Sequence, residues 1–179
     1  AWNILNAIAE GKIESGDEKK LNALKGETMA VIALCQFDLT RCFGYPYTKD
    51  NGASLGAPLI DHLVGTYENP SRSTVAQAYD FIIETLEEAV TLMSEEKNNG
   101  RMNKYAARAL LARVYLYHND NRKAFDMAEQ LIKDVDASGS YALYPHEKYV
   151  AAWSVETKFG SESFFEIANS VDEDRKSTR

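Results

Sequence analysis

The side chains of this sequence that could bind a ligand are concentrated in one segment, residues 44–72. A tyrosine ring can stack on the apolar face of a sugar ring, while carboxylate and amide groups can bond sugar hydroxyls. The same tyrosines could instead pin the segment to its neighbours by burying their rings. Binding residues concentrate on loops held by a rigid scaffold, so we predict a binding site here. The candidates are Tyr45, Tyr47, Asp50, Asn51 and Tyr67.

Two further aromatic candidates lie in the irregular region that follows residue 139. They are Tyr149 and Trp153, which fall in or beside a short predicted helix at residues 149–153. The same two interpretations apply to them, because a large ring can either stack on a ligand or fill a gap in the core.

We find no sequence signal for catalysis or for a metal site. Neither a Walker loop nor a G-x-G-x-x-G motif is present, and the three histidines lie far apart, without metal-ligand spacing. Residues 134–139 resemble the start of a calcium loop, but Pro145 stands where the bidentate Glu is needed. We therefore predict a protein that is not an enzyme and that uses no metal and no cofactor.

Composition indicates one ordinary globular domain. The chain has 179 residues, 45% hydrophobic content and a net charge of −7. This acidic balance argues against nucleic acid as a partner, and no run of about 18 apolar residues exists to span a bilayer. The chain opens on Ala1 and Trp2 inside a predicted helix and closes on a polar run. We predict that residues 1–179 form a single helical-repeat domain of a longer protein.

Apolar residues at helical spacing predict the elements that must position the candidate residues. The second helix could break near Gly26, yet its part from residue 27 onward is apolar nearly all round, as in a helix buried on several sides. Cys35 and Cys42 lie about 10 Å apart along it, too far for a disulfide, and are expected to be buried. The predicted helices cover residues 1–9, 18–43, 74–93, 102–117 and 121–133, with N-caps at Ser15 or Asp17, at Thr74, and at Asp120 or Asn121.

The last two helices are predicted to form an antiparallel hairpin, because the polar residues 118–121 interrupt their apolar pattern. The pair partly matches the tetratricopeptide (TPR) repeat. Arg108 and Asp136 stand where the usual Trp and Pro are expected. The matching positions are Leu111, Ala112, Tyr115, Ala124 and Ala128.

The predicted fold class is mainly α, with TPR-like antiparallel helical hairpins. Helices 27–43 and 74–93 are read as another hairpin whose turn is replaced by residues 44–72, which we name the long loop. That loop holds three of the four prolines and four of the ten glycines. Residues 138–179 are predicted to be an irregular loop/β extension, in which "SYALYP" and "ESFFEIANS" read as the strands of one hairpin.

Five segments in order resemble the SusD/RagB-type family. Tyr105 departs from the pattern, because a small residue is expected there. The segments are "GETMAVIALCQFDLTRCFGYPY", "RSTVAQAYDFIIETLEEAVTLM", "NGRMNKYAARALLARVYLYHNDNRKAFDMAEQLI", "SGSYALYP" and "SESFFEIANS".

The resemblance implies a nutrient-binding lipoprotein on the extracellular face of the outer membrane, anchored by a lipid outside this chain. Such proteins bind oligosaccharides or sometimes peptides and sit on a SusC-like TonB-dependent transporter, so the chain would be the N-terminal portion of one. A generic TPR-like module that grips a peptide or partner helix is the alternative. A third is an enzyme fragment whose chemistry lies outside the chain.

Overall fold

A computed structural model describes residues 1–13, 16–97, 100–152 and 159–167. The helices are α1 (Trp2–Ala9), α2 (Glu18–Phe43), α3 (Val75–Leu92), α4 (Lys104–Tyr117), α5 (Asn121–Ser138) and α6 (Tyr149–Ala152). Two strands, β1 (Leu55–Pro58) and β2 (Arg72–Thr74), pair antiparallel, and short 3-10 turns cover Tyr47–Lys49 and His146–Lys148. The mainly helical fold is confirmed, and no helix in the described ranges is long and apolar enough to cross a membrane.

The helices begin at the residues whose side chains cap them. The Asp17 carboxylate accepts from the amides that open α2, and Asp120 accepts from the amide of Lys123 at 3.2 Å. Thr74 and Gln77 form the predicted capping box, in which each side chain bonds the other's backbone amide. Because these bonds satisfy amides that have no partner within the helix, the predicted caps are confirmed at Asp17, Thr74 and Asp120.

α2 runs unbroken through Gly26, so the suggested break there is wrong. A Cβ at this position would lie 2.7 Å from Met93 Cγ and 2.9 Å from the carbonyl oxygen of Ala89. The glycine therefore permits a close approach of α2 to the end of α3 rather than a bend.

The core lies where α2, α3, α4 and α5 face one another. Its largest fully buried side chains include Phe37 of α2, Ile82 and Leu86 of α3, and Leu111 of α4. The predicted turn between α4 and α5 is confirmed, since Asn119 takes a left-handed conformation with φ +70° between the two helices. Both helical pairs are thus antiparallel neighbours joined along the chain.

The two cysteines are exposed, so their predicted burial is wrong. Both lie on a side of α2 that no other helix of the described chain covers, opposite the buried Ala33 and Phe37. Tyr105, expected to be small, is buried with its ring edge-on to Tyr141, 6.0 Å between centroids.

The strands predicted after residue 139 are not formed within the described residues 139–152 and 159–167. The two segments instead meet as irregular chain, where the amide of Ala142 donates to the carbonyl oxygen of Ser161 at 3.0 Å. Phe164 and Phe165 then pack on the core from non-strand backbone. These two adjacent rings are therefore half-buried from irregular backbone rather than from a paired strand.

Candidate functional site

The long loop is bonded to the helices at its base. The buried amide of Gln36 in α2 donates to the carbonyl oxygen of Pro58 at 3.1 Å and accepts from the amide of Ile60 at 3.2 Å. The Arg72 guanidinium donates to the carbonyl oxygens of Gly56 at 2.7 Å and Leu55 at 2.8 Å. These bonds give the loop a positioned base, which a binding segment requires.

Tyr47 is a structural contact of that base. Its half-buried ring lies 5.7 Å from the ring of Tyr79 and 4.2 Å from that of His118, measured between centroids. Gly52 lies so close that a Cβ there would approach the Tyr47 ring to 2.7 Å. The geometry therefore places Tyr47 where it pins the loop to α3 and to the α4–α5 turn.

Tyr45 offers its ring to solvent. It is 57% exposed, and the Lys49 ammonium lies 3.0 Å from the ring centroid. A cation over one ring face is stabilised by the ring quadrupole and leaves a positive group beside an exposed aromatic surface. The pair combines stacking surface with a hydrogen-bond donor.

Asp50 and Asn51 shape the turn that follows. Ser54 Oγ donates to one carboxylate oxygen of Asp50, and this bond holds the pKa of Asp50 below its usual value. The other oxygen, Oδ1, is buried and has no hydrogen-bond partner within the described chain. Asn51 takes a left-handed conformation, with φ +54°, and is exposed to solvent.

Residues 52–56, Gly-Ala-Ser-Leu-Gly, also match the G-x-S-x-G spacing of a nucleophile elbow, a match not considered above. An elbow requires a sharp turn from a strand into a helix. Ser54 instead precedes β1, and its hydroxyl is bonded directly to the Asp50 carboxylate. The structural context that the motif needs is therefore absent here.

Tyr67 is the most exposed aromatic candidate, at 95%. It lies beside a cluster that the sequence analysis did not single out, in which His62 Nδ1 contacts Asp61 at 2.6 Å and Nε2 contacts Glu68 at 2.6 Å. The two carboxylates raise the pKa of His62, while the Gly65 amide and His62 lower the pKa of Glu68. Three titratable residues within eight positions are the sequence signal that could have identified this cluster.

The candidates of the second region lie apart from the long loop along the chain. Tyr149 begins α6 and is 51% exposed. Trp153 lies outside the described residues. The structure thus brings Tyr45, Tyr47 and Asp50 together in one turn and places Tyr67 farther along the same loop.

The long loop therefore presents exposed rings beside polar and charged side chains. The ranges that the structure covers contain no group of three histidine, cysteine, aspartate or glutamate residues that could hold a metal ion. Paired helical hairpins that carry an irregular loop with exposed tyrosines define a helical-repeat fold with a candidate binding surface on that loop.

The family follows from comparison with known sequences. Residues 1–116 match the SusD-like family described as "Starch-binding associating with outer membrane". Because the match spans well over half of the chain, the chain belongs to this family. A comparison with curated proteins gave no match.

Solved structures support the same assignment. A SusD superfamily protein from Bacteroides vulgatus ATCC 8482 is 95% identical over 96% of this chain, with a TM-score of 0.92. One from Bacteroides thetaiotaomicron VPI-5482 is 41% identical over 97%, with a TM-score of 0.89. A laminarin-binding SusD-like protein is 23% identical over 94%, with a TM-score of 0.69, and shares the fold. This chain spans only 38%, 37% and 35% of these three chains.

Proposed function

We propose that the protein to which this chain belongs binds oligosaccharides, and that the long loop contributes part of the binding surface. The observation that carries the proposal is the exposure of Tyr45 and Tyr67 on this loop, in a chain whose family is described as starch-binding. The flat exposed Tyr45 ring with the Lys49 ammonium against it suits a sugar, which has apolar faces and a rim of hydroxyls.

The role that fits this site is binding followed by delivery. We propose that the protein is held on the extracellular face of the outer membrane by a lipid anchor outside these residues. It would pass its ligand to a SusC-like TonB-dependent transporter. The helical hairpins would supply a rigid frame and a surface for that partner. No catalytic step is proposed.

A second candidate is a module that grips a peptide or a partner helix. Phe125 and Ile132 of α5 are 60% and 61% exposed, and their seven-residue spacing places them on the same helix face. This apolar stripe would suit a helical ligand. The two candidates use different surfaces, so variants can separate them.

The test is isothermal titration calorimetry of the full-length protein against maltooligosaccharides and laminarin oligosaccharides. We expect binding to at least one glycan, and a combined Tyr45→Ala and Tyr67→Ala variant should lower its affinity roughly tenfold or more, since each stacked ring contributes about 1 kcal/mol. Phe125→Ala is the matched control, an exposed ring outside the loop, and should bind as the unchanged protein does. Equal affinity in the double variant, or loss in the control alone, contradicts the loop as a binding surface.

A further inference from the structure

The C-terminal half of α2 carries an apolar face without a partner in the described chain. It is formed by Cys35, Leu39, Cys42 and Phe43, which we name the α2 face. Positions spaced by four, seven and eight residues lie on one side of a helix. Leu39 is 40% and Phe43 67% exposed, and both cysteines are exposed. Buried residues of the same helix occupy the other sides. Apolar residues therefore lie on nearly every side of α2, but this side is left uncovered in the described chain.

The α2 face continues onto the base of the long loop. Leu39 and Phe43 border an open depression of about 520 Å³, whose floor includes Ala57, Pro58 and Ile60. Its lining is mostly apolar, and the polar groups nearby are already bonded to one another. The buried side-chain amide of Gln36 already forms hydrogen bonds with the backbone of Pro58 and Ile60.

Arg72 is the charged residue among the described ones that line the depression, and its guanidinium already donates to the carbonyl oxygens of Gly56 and Leu55. A sugar placed here would lose the hydration of its hydroxyls without gaining bonds in return. Apolar side chains placed here would lose no hydrogen bonds to water, and the removal of their surface from water would be favourable. The chemistry of the depression therefore favours a protein segment over a glycan.

The length of the related structure points to the occupant. This chain matches the Bacteroides vulgatus structure at 95% identity yet spans only 38% of it. More than half of that chain therefore has no counterpart in these 179 residues. A contiguous apolar patch left open on a monomer is uncommon, and the apolar pattern around α2 is that of a helix covered on several sides.

We infer that the α2 face is an internal interface, onto which a part of the protein's own chain outside these 179 residues packs. In the full-length protein, Leu39 and Phe43 then belong to a second core, and both cysteine thiols are shielded from solvent. The inference is independent of the proposed function, because it concerns how the chain folds on itself and not what the long loop binds.

The two cysteines provide the test, because they report directly on the cover over the α2 face. Full-length protein is treated with a maleimide, and the labelling of each cysteine is followed over time by peptide mass spectrometry. We expect Cys35 and Cys42 to react roughly 100-fold more slowly in the native protein than in urea, as buried thiols do. The control is an Arg122→Cys variant, whose new thiol lies on the exposed start of α5 and should react at close to its unfolded rate. Native labelling of Cys35 and Cys42 at the control's rate overturns the inference.

A second measurement separates an intramolecular cover from a second copy. Labelling is repeated over a hundredfold range of protein concentration, with the mass in solution followed by light scattering. Protection that persists in the monomer supports the inference, whereas protection that vanishes as a dimer dissociates overturns it. A Phe43→Asp variant should speed native labelling of Cys42 at least severalfold, because a buried charge would loosen the cover. An unchanged labelling rate in this variant counts against the interface.

Discussion

The helical scaffold and the long loop satisfy their backbone polar groups in different ways. In α2–α5 the backbone bonds itself, and a few capping side chains complete the ends. In the long loop, side chains take over much of that role, as with Gln36 at Pro58 and Ile60. Loss of a buried scaffold side chain therefore removes apolar packing. Loss of a side chain such as Gln36 instead leaves backbone groups of the loop without a hydrogen-bond partner.

The two regions also differ in where their aromatic rings lie. Phe37 in the scaffold is 1% exposed, whereas Tyr67 in the loop is 95% exposed. A buried ring contributes to the free energy of folding through its removal from water, and an exposed ring contributes almost nothing. The buried rings that stabilise the fold and the exposed rings that could bind a ligand are therefore separate sets of aromatic residues.

The largest expected effect comes from the scaffold. Phe37→Ala removes a ring that packs edge-on against Tyr79 and Tyr117, at 6.2 and 5.4 Å between centroids. It should lower the free energy of unfolding of the full-length protein by about 3–5 kcal/mol, measured by urea denaturation. Tyr67→Ala is the comparison variant and should change it by less than about 0.5 kcal/mol. Similar losses in both variants would break the distinction between the two sets of rings.

An intermediate effect is expected at the junction between the two regions. Gln36→Leu leaves the carbonyl oxygen of Pro58 and the amide of Ile60 without their partner, so it should cost about 1–3 kcal/mol of folding free energy. Hydrogen exchange of the Ile60 amide should accelerate more than that of amides within α3. Gln130→Leu, at an exposed glutamine of α5, is the control and should leave both quantities nearly unchanged. Unaltered exchange at Ile60 in Gln36→Leu would show that the loop holds its base by other means.

The smallest effect concerns the Asp61, His62 and Glu68 cluster in the loop. Asp61 and Glu68 raise the pKa of His62 above its ordinary 6.5, so the stabilisation from its protonation is complete below pH 6.5 and is lost as pH rises through the raised pKa. The pKa of Glu68 is lowered below 4.5, so its contribution is present above pH 4.5 and is lost as pH falls through the lowered pKa. The cluster should therefore be firmest between pH 4.5 and 6.5.

NMR titration of the His62 ring in the full-length protein checks this expectation. Hydrogen exchange of the Gly65 amide, which donates to Glu68 at 3.0 Å, should slow within that window after correction for intrinsic rates. In a His62→Gln variant the high-pH limit of the window should disappear. A His62 pKa at or below 6.5 in the folded protein would refute the proposed pairing.

The scaffold could be predicted from the sequence because its signals are local. Thr74 and Gln77 predict the start of α3, and the polar residues 118–121 predict the turn between α4 and α5. The loop could be located by its glycines and prolines but not traced, because its bonds join residues distant in sequence. Gln36 and Ile60 lie 24 positions apart, and nothing in their local pattern links them.

The segment that carries the candidate rings could be located from the sequence, but not which of its rings would be exposed and which buried. Tyr45 and Tyr47 are two residues apart in the same turn, yet one is 57% exposed and the other is packed against Tyr79 and His118. Residue type and spacing are the same for both. Only the position of α3 and of the α4–α5 turn distinguishes a ring that pins the loop from one that faces solvent.

The helices, their caps and their pairing into hairpins could be predicted from local sequence, because they depend on apolar periodicity and on hydrogen bonds between near neighbours. Tertiary contacts were needed to establish that α2 passes straight through Gly26, that β1 within the long loop pairs with β2 at its end, and that Cys35 and Cys42 lie on an open face. Each of these depends on what lies across a helix or a strand, and contacts between distant segments arise only when the whole chain has folded.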